Sequence, residues 1–123
     1  MRILLYAKAA EQFTDRLKNL IATHFPEGKI DVYQTIESLS QRLRQPMEDP
    51  KIAILLTNSR VDLMDILSIQ HLFRDTPIIF FAPDNERETI ALAHQLRPRF
   101  LSDTQSDFEV ISGVLKKMVK DHI

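Results

Sequence analysis

The sequence predicts an α/β fold: a three-layer doubly wound sandwich built on a five-stranded parallel sheet of order 2-1-3-4-5 with five helices. Three observations carry this. Apolar runs of strand length alternate with amphipathic stretches of helical period along all 123 residues. Two runs, IAILL at the start of the stretch Ile52 to Arg60 and IIFFA at Ile78 to Ala82, are wholly apolar, as parallel strands covered on both faces must be. Strict β/α alternation also demands crossover connections, and right-handed crossovers place helices on both sides of one sheet. In the order 2-1-3-4-5 the first, third and fourth strands are interior, which agrees with RILLYA, IAILL and IIFFA being the most apolar runs. The edge strands, KIDVYQT and RFLSD, are the polar ones.

Each element has its own signal. Arg2 to Ala7 reads as a buried strand, and the helix after it carries Phe13, Leu17, Leu20 and Ile21 on one face before stopping near Phe25 at Pro26 and Gly28. Lys29 to Thr35 sets Ile30 and Val32 among polar neighbours, the pattern of a strand exposed on one face. Thr35 is an N-cap candidate for a helix bearing Ile36, Leu39 and Leu43, ended by Pro46 and Pro50. After the central strand, Asp62 to Phe73 reads as a third helix with a broad apolar face (Leu63, Ile66, Leu67, Ile69, Phe73), closed by Asp75-Thr76-Pro77. Pro83-Asp84-Asn85 turns the chain into a fourth helix, with Glu88 three residues after Asn85 supporting a cap, and Arg97-Pro98 ends it beyond Leu96. Arg99 to Ser102 is a short fifth strand. Ser106-Asp107-Phe108-Glu109 is a capping box for a last helix bearing Phe108, Ile111, Leu115, Met118 and Val119.

Composition narrows the chemistry. The absence of cysteine rules out disulfides, thiolate nucleophiles and cysteine-ligated zinc, and fits a cytoplasmic protein. The first apolar run, from Ile3, is too short for a membrane span and is followed by no cleavage-site pattern, so neither membrane insertion nor a signal peptide is expected. With 16 Lys and Arg against 17 Asp and Glu there is no overall basic field, and nucleic-acid binding is not expected. Two glycines cannot form a Gly-rich phosphate cradle. His24, His71, His94 and His122 stand singly without metal-ligand spacing, so no metal and no cofactor is implied. The crevice beyond the carboxyl ends of the strands is where an open parallel sheet places its chemistry. At the exit of the central strand it offers Thr57, Asn58, Ser59 and Arg60, with no carboxylate, thiol or imidazole. These residues form a possible anion-binding loop, because guanidinium and hydroxyl donors suit phosphate; solvated loop residues are the alternative. Asp84, Asn85 and Glu86 are accounted for by the preference of helix starts for acidic residues.

In length, element order and the phrases IAILLT, MDILSIQHLF and TPIIFFA, the whole chain resembles the receiver domain of two-component response regulators. Met64-Asp65 sharpens the likeness, although Ile66 stands where the family usually has Gly. The resemblance implies an acidic pair ending strand one, a phospho-accepting Asp after strand three, a Thr or Ser after strand four and a Lys after strand five. Those positions fall here on Ala7 and Lys8, Thr57, Ala82 and Asp103, and all depart. Mg²⁺ needs oxygen ligands, and Ala7 with Lys8 removes them from strand one. Base and acid have exchanged strands at Lys8 and Asp103. Either these are independently solvated charges, or Lys8 bridges Asp103 or Asp84 in place of the metal.

The resemblance, with its departures, implies a phosphorylation-incompetent pseudo-receiver, not an enzyme, working through a protein partner in signal transduction. The family's usual homodimer face, formed by helix four, strand five and helix five, here carries Arg87, Arg97, Arg99, Lys116, Lys117 and Lys120 amid acidic residues. Mixed charge suits a two-fold contact. Phe100 on that strand is either core or an exposed anchor. Two other readings stand beside this one: a flavodoxin-like small-ligand or anion binder using the loops after strands three and four, and a divergent phospho-receiver using Thr57.

Overall fold

Five strands, β1 (Arg2–Ala7), β2 (Lys29–Tyr33), β3 (Lys51–Leu56), β4 (Ile78–Ala82) and β5 (Phe100–Asp103), pair in parallel in the order β2-β1-β3-β4-β5. They alternate with helices α1 (Glu11–His24), α2 (Ile36–Arg44), α3 (Arg60–Ser68), α4 (Arg87–Ala93) and α5 (Phe108–Asp121). This is the α/β architecture and strand order expected from the sequence. The computed structural model describes residues 2–8, 11–26, 28–46, 51–103 and 108–121. Pro50 and the Ser106-Asp107 half of the expected capping box lie outside the described residues.

The alternation of side chains along each strand divides the apolar residues into two cores. Ile3, Leu5, Ile52, Ile54, Leu56, Ile79 and Phe81 pack against Leu17 and Ile21 of α1 and Ile111, Leu115 and Met118 of α5. On the other face Leu4, Tyr6, Ala53, Leu55, Ile78 and Phe80 meet Leu39 and Leu43 of α2, Leu63, Ile66 and Leu67 of α3, and Ala93 of α4. From Ile52 to Leu56 no residue is more than 1% exposed, so β3 is sealed on both sides. At the edge, Val32 of β2 is 37% exposed, as its mixed pattern requires. The Arg2 guanidinium donates to the Asp31 carboxylate and ties β2 to β1.

Boundaries differ where side chains compete for backbone groups. Thr35 leaves the strand because its hydroxyl accepts from Ser38 N at 3.1 Å as the N-cap of α2, so β2 ends at Tyr33. Helix α3 begins at Arg60, ahead of Asp62, because Ser59 caps it. It also stops at Ser68. Ile69 N bonds Ile66 O at 3.0 Å and Leu72 N bonds Ile69 O at 2.9 Å, tightening the path into a 3₁₀ turn over Gln70–Phe73. The apolar pattern that suggested one continuous helix is still buried, with Ile69 at 8% and Phe73 at 5% exposure. The N-cap of α4 is Glu86, not Asn85, because the Asp84 carboxylate accepts from Glu86 N at 2.9 Å and carries the turn one residue further. That helix closes through a second 3₁₀ turn, His94–Leu96. Strand β5 sits one residue later than expected, although Arg99 N already donates to Ile78 O at 2.8 Å.

Arg97 ends the second 3₁₀ turn with φ 52° and ψ 52°, and among the described residues it is the one non-glycine at positive φ. An L-residue with a side chain there costs about 1–2 kcal/mol. Pro98 follows, which prevents the helical path from resuming.

Candidate functional site

The strand ends set the geometry at the carboxyl edge of the sheet. Ala7 lies beside Leu56, Leu56 beside Phe81, and Ala82 beside Asp103, so the positions singled out in the sequence share one edge. Ala7 and Ala82 are buried at 5% and 1% exposure and offer no polar group beyond their backbone.

Thr57 extends the β3–β4 ladder by one residue. Its N–H donates to Phe81 O at 3.2 Å and its hydroxyl donates to the same oxygen at 2.7 Å. The side chain is fully buried. A hydroxyl in that state already spends its proton on a carbonyl and has no contact with solvent, which is the reverse of what a nucleophile or phosphoryl acceptor needs.

Beyond Thr57 the chain turns directly into α3, and the cap supplies the site's buried acid. Ser59 Oγ accepts from Asp62 N at 3.2 Å, while Asp62 Oδ2 accepts from Asn58 N at 3.0 Å. The two side chains reciprocate in the manner of a capping box displaced by one residue. Lys8 Nζ, at the exit of β1, lies 3.7 Å from Asp62 Oδ1. The carboxylate side chain is 6% exposed and the lysine 54%. The lysine therefore meets a carboxylate, but the partner is Asp62 and not Asp84; the Asp103 side chain is not among those described. Asp62 went unrecognised in the sequence because the third helix was started there. The signal was present as Ser59 followed three residues later by an acid.

Arg60 faces the other way. Its Nη2 donates to Glu86 Oε2 and to Thr89 Oγ1, each at 3.1 Å, and its Nη1 to Glu88 Oε2 at 3.5 Å, joining the start of α3 to the start of α4. Thr89 is fully buried. The Asp84 carboxyl is held below the usual carboxylate range, first by a hydrogen bond from the Thr89 side chain and then by the Glu86 N–H, with Arg60 adding to both. Asp62, Asp84, Glu86 and Glu88 thus surround Lys8 and Arg60, an arrangement that neutralises the cations before any anion arrives. Beneath the site, burial pushes the Tyr6 phenol up, and the negative charges of Asp62, Asp65 and Glu37 push it in the same direction. Among the described residues no group of three or more His, Asp or Glu side chains is placed to hold a metal ion.

The residues expected on an interaction face are divided by the fold. Arg87 is exposed in the first turn of α4, and Lys116 and Lys117 are exposed on α5. Arg97 and Arg99 are exposed at the opposite, amino-terminal edge of the sheet. Phe100 is half-buried and packs against the α1/α5 core, which favours its core reading over an exposed anchor. The Lys120 side chain is not among those described.

No protein-family model matches the chain, and no curated protein matches it. Solved structures do. One, described as yeast Spc42 trimeric coiled-coil amino acids 181-211 fused to another structure, aligns with a TM-score of 0.74 over 97% of this chain and 78% of that one, at 10% identity. At that identity the likeness is one of fold.

Three outcomes follow from the geometry. Asp62→Ala removes the acceptor of the part-buried Asn58 N–H at the start of α3 and should cost about 0.5–2 kcal/mol in urea unfolding. Lys8→Met removes only a half-exposed partner and should cost under about 1 kcal/mol. Tyr6 supplies the third. Because its folded-state pKa is raised, its contribution to stability is fully present below the ordinary tyrosine value of 10.0 and is lost as pH rises from there through the folded-state value. Stability should therefore fall in that alkaline window, and Tyr6→Phe should flatten the fall when unfolding is followed by circular dichroism.

Proposed function

We propose that this chain is a receiver-like regulatory module that takes no phosphoryl group and works by protein–protein contact in signal transduction. The observation that carries the reading is Thr57: the residue at the acceptor position is fully buried, with its hydroxyl committed to Phe81 O at 2.7 Å. Around it, Lys8 stands where carboxylates would hold Mg²⁺, and it is engaged with Asp62. In this reading the lysine does what a metal would otherwise do, which is to compensate the buried acid beside the central strand. The pocket then has one charge state and no ligand to wait for.

Function in such a module lies on its outer faces, in a cytoplasmic partner complex or in a homodimer through α4, β5 and α5. The exposed Arg87, Lys116 and Lys117, with Val110 at 50% exposure among them on α5, support that surface. The small-ligand reading of the loops after β3 and β4 has less support, since Arg60 is already bonded to Glu86, Glu88 and Thr89. A phospho-receiver using Thr57 would have to break the bond to Phe81 and expose β3 before reacting.

Incubation with acetyl phosphate and Mg²⁺, followed by intact-mass measurement, tests the reading. The expected result is an unchanged mass. A gain of one phosphoryl group per chain, mapped to Thr57 or a neighbouring loop, would overturn it.

A further inference from the structure

A well-formed concavity lies away from this site. At the amino-terminal edge of β4 and β5, a pocket of about 380 Å³ opens between the 3₁₀ turn Gln70–Phe73 and the segment that links α4 to β5. Its volume is at the lower end of the range for small-molecule sites. Phe73 and Leu96, at 5% and 7% exposure, give it apolar walls.

Three arginines, Arg74, Arg97 and Arg99, line it, with Asp75 the one acidic residue among the lining residues. None of the three arginines forms an ion pair with a described carboxylate, in contrast to Arg2 and Arg60. Concentrated, unpaired guanidinium charge in a concave site is the arrangement that recognises carboxylate and phosphate oxygens.

Two further features point to the same place. Thr76, in the pocket wall, is 6% exposed, and its hydroxyl has no hydrogen-bond partner. Buried polar atoms are almost always satisfied; this oxygen is itself closed off from the cavity, so a ligand reaches it only if the Thr76 side chain rotates toward the pocket. Arg97 contributes its side chain from the left-handed backbone conformation described above. Glycine would hold that turn without strain, and strained backbone concentrates at binding sites.

We propose that this pocket binds a small organic anion carrying phosphate or carboxylate groups, held by Arg74, Arg97 and Arg99. The pocket shares no residue with the Thr57 site, so the proposal stands or falls independently of the regulatory reading. Its size fits a metabolite-scale ligand, and its charge is local in a chain whose formal net charge is −1.

The test is calorimetric titration of the full chain with glycerol 3-phosphate and, separately, with citrate at low salt. The result expected is saturable binding of at least one probe with Kd of about 1 mM or tighter, weakened by added salt. The arm that binds identifies the anionic group. In the triple variant Arg74→Gln/Arg97→Gly/Arg99→Gln affinity should fall by about tenfold or more, whereas Lys18→Gln, on the exposed face of α1, should bind as the parent does. Arg99→Gln alone is a second variant that keeps the backbone bond from Arg99 N to Ile78 O, and it should weaken binding several-fold. Absence of saturation by either probe at about 10 mM, or affinity unchanged in Arg99→Gln and in the triple variant, would overturn the proposal.

Discussion

The backbone groups of β3 can be satisfied only along the sheet, because the side chains from Ile52 to Leu56 are sealed by a core on either face. That constraint runs one residue beyond the strand. Thr57 is still inside the protein, so its hydroxyl must find a partner within the protein, and it finds Phe81 O at 2.7 Å. A carboxylate at this position would have to be charged and solvated. A threonine can be buried, and here its hydroxyl is turned inward and offers nothing to the carboxyl edge of the sheet.

The charges at the carboxyl edge are set by the turn that follows Thr57. Asp62 is drawn in by the Asn58 N–H as the chain turns from Thr57 into α3, and Lys8 approaches it from the end of β1. Arg60, one residue beyond the Ser59 cap, reaches the first turn of α4. The three loops after β1, β3 and β4 are thereby linked by side chains of this protein, where a phosphoryl-accepting pocket would use a metal ion and a transferred group. At the opposite edge, Arg74, Arg97 and Arg99 form no ion pair with a described carboxylate.

Legibility in the sequence tracked the range of the interaction. Strand identity and order could be read because full burial leaves a mark on composition: IAILL and IIFFA are interior strands in the structure. The Thr35 cap could also be read, since its partner Ser38 is three residues away. The division of the third helical segment at Ile69 could not, because α-helix and 3₁₀ turn bury nearly the same side chains and differ only in backbone bonding. The Lys8–Asp62 contact depends on how two elements 54 positions apart meet at a sheet edge, and no periodicity encodes it. The arginine pocket is of the same kind. Arg97 and Arg99 were visible as charges on the segment around β5, but their convergence with Arg74 needed the turn after α3 to be in place.

The central claim of the proposed function is that the carboxyl edge of the sheet takes up neither Mg²⁺ nor a phosphoryl group. Amide NMR of the protein titrated with Mg²⁺ and then beryllium fluoride, a phosphoryl mimic, addresses it directly. The account predicts that resonances of Thr57 to Arg60, Asp62 and Ala82 to Asp84 stay in place throughout. Saturable shifts at those residues that require both Mg²⁺ and beryllium fluoride would contradict it.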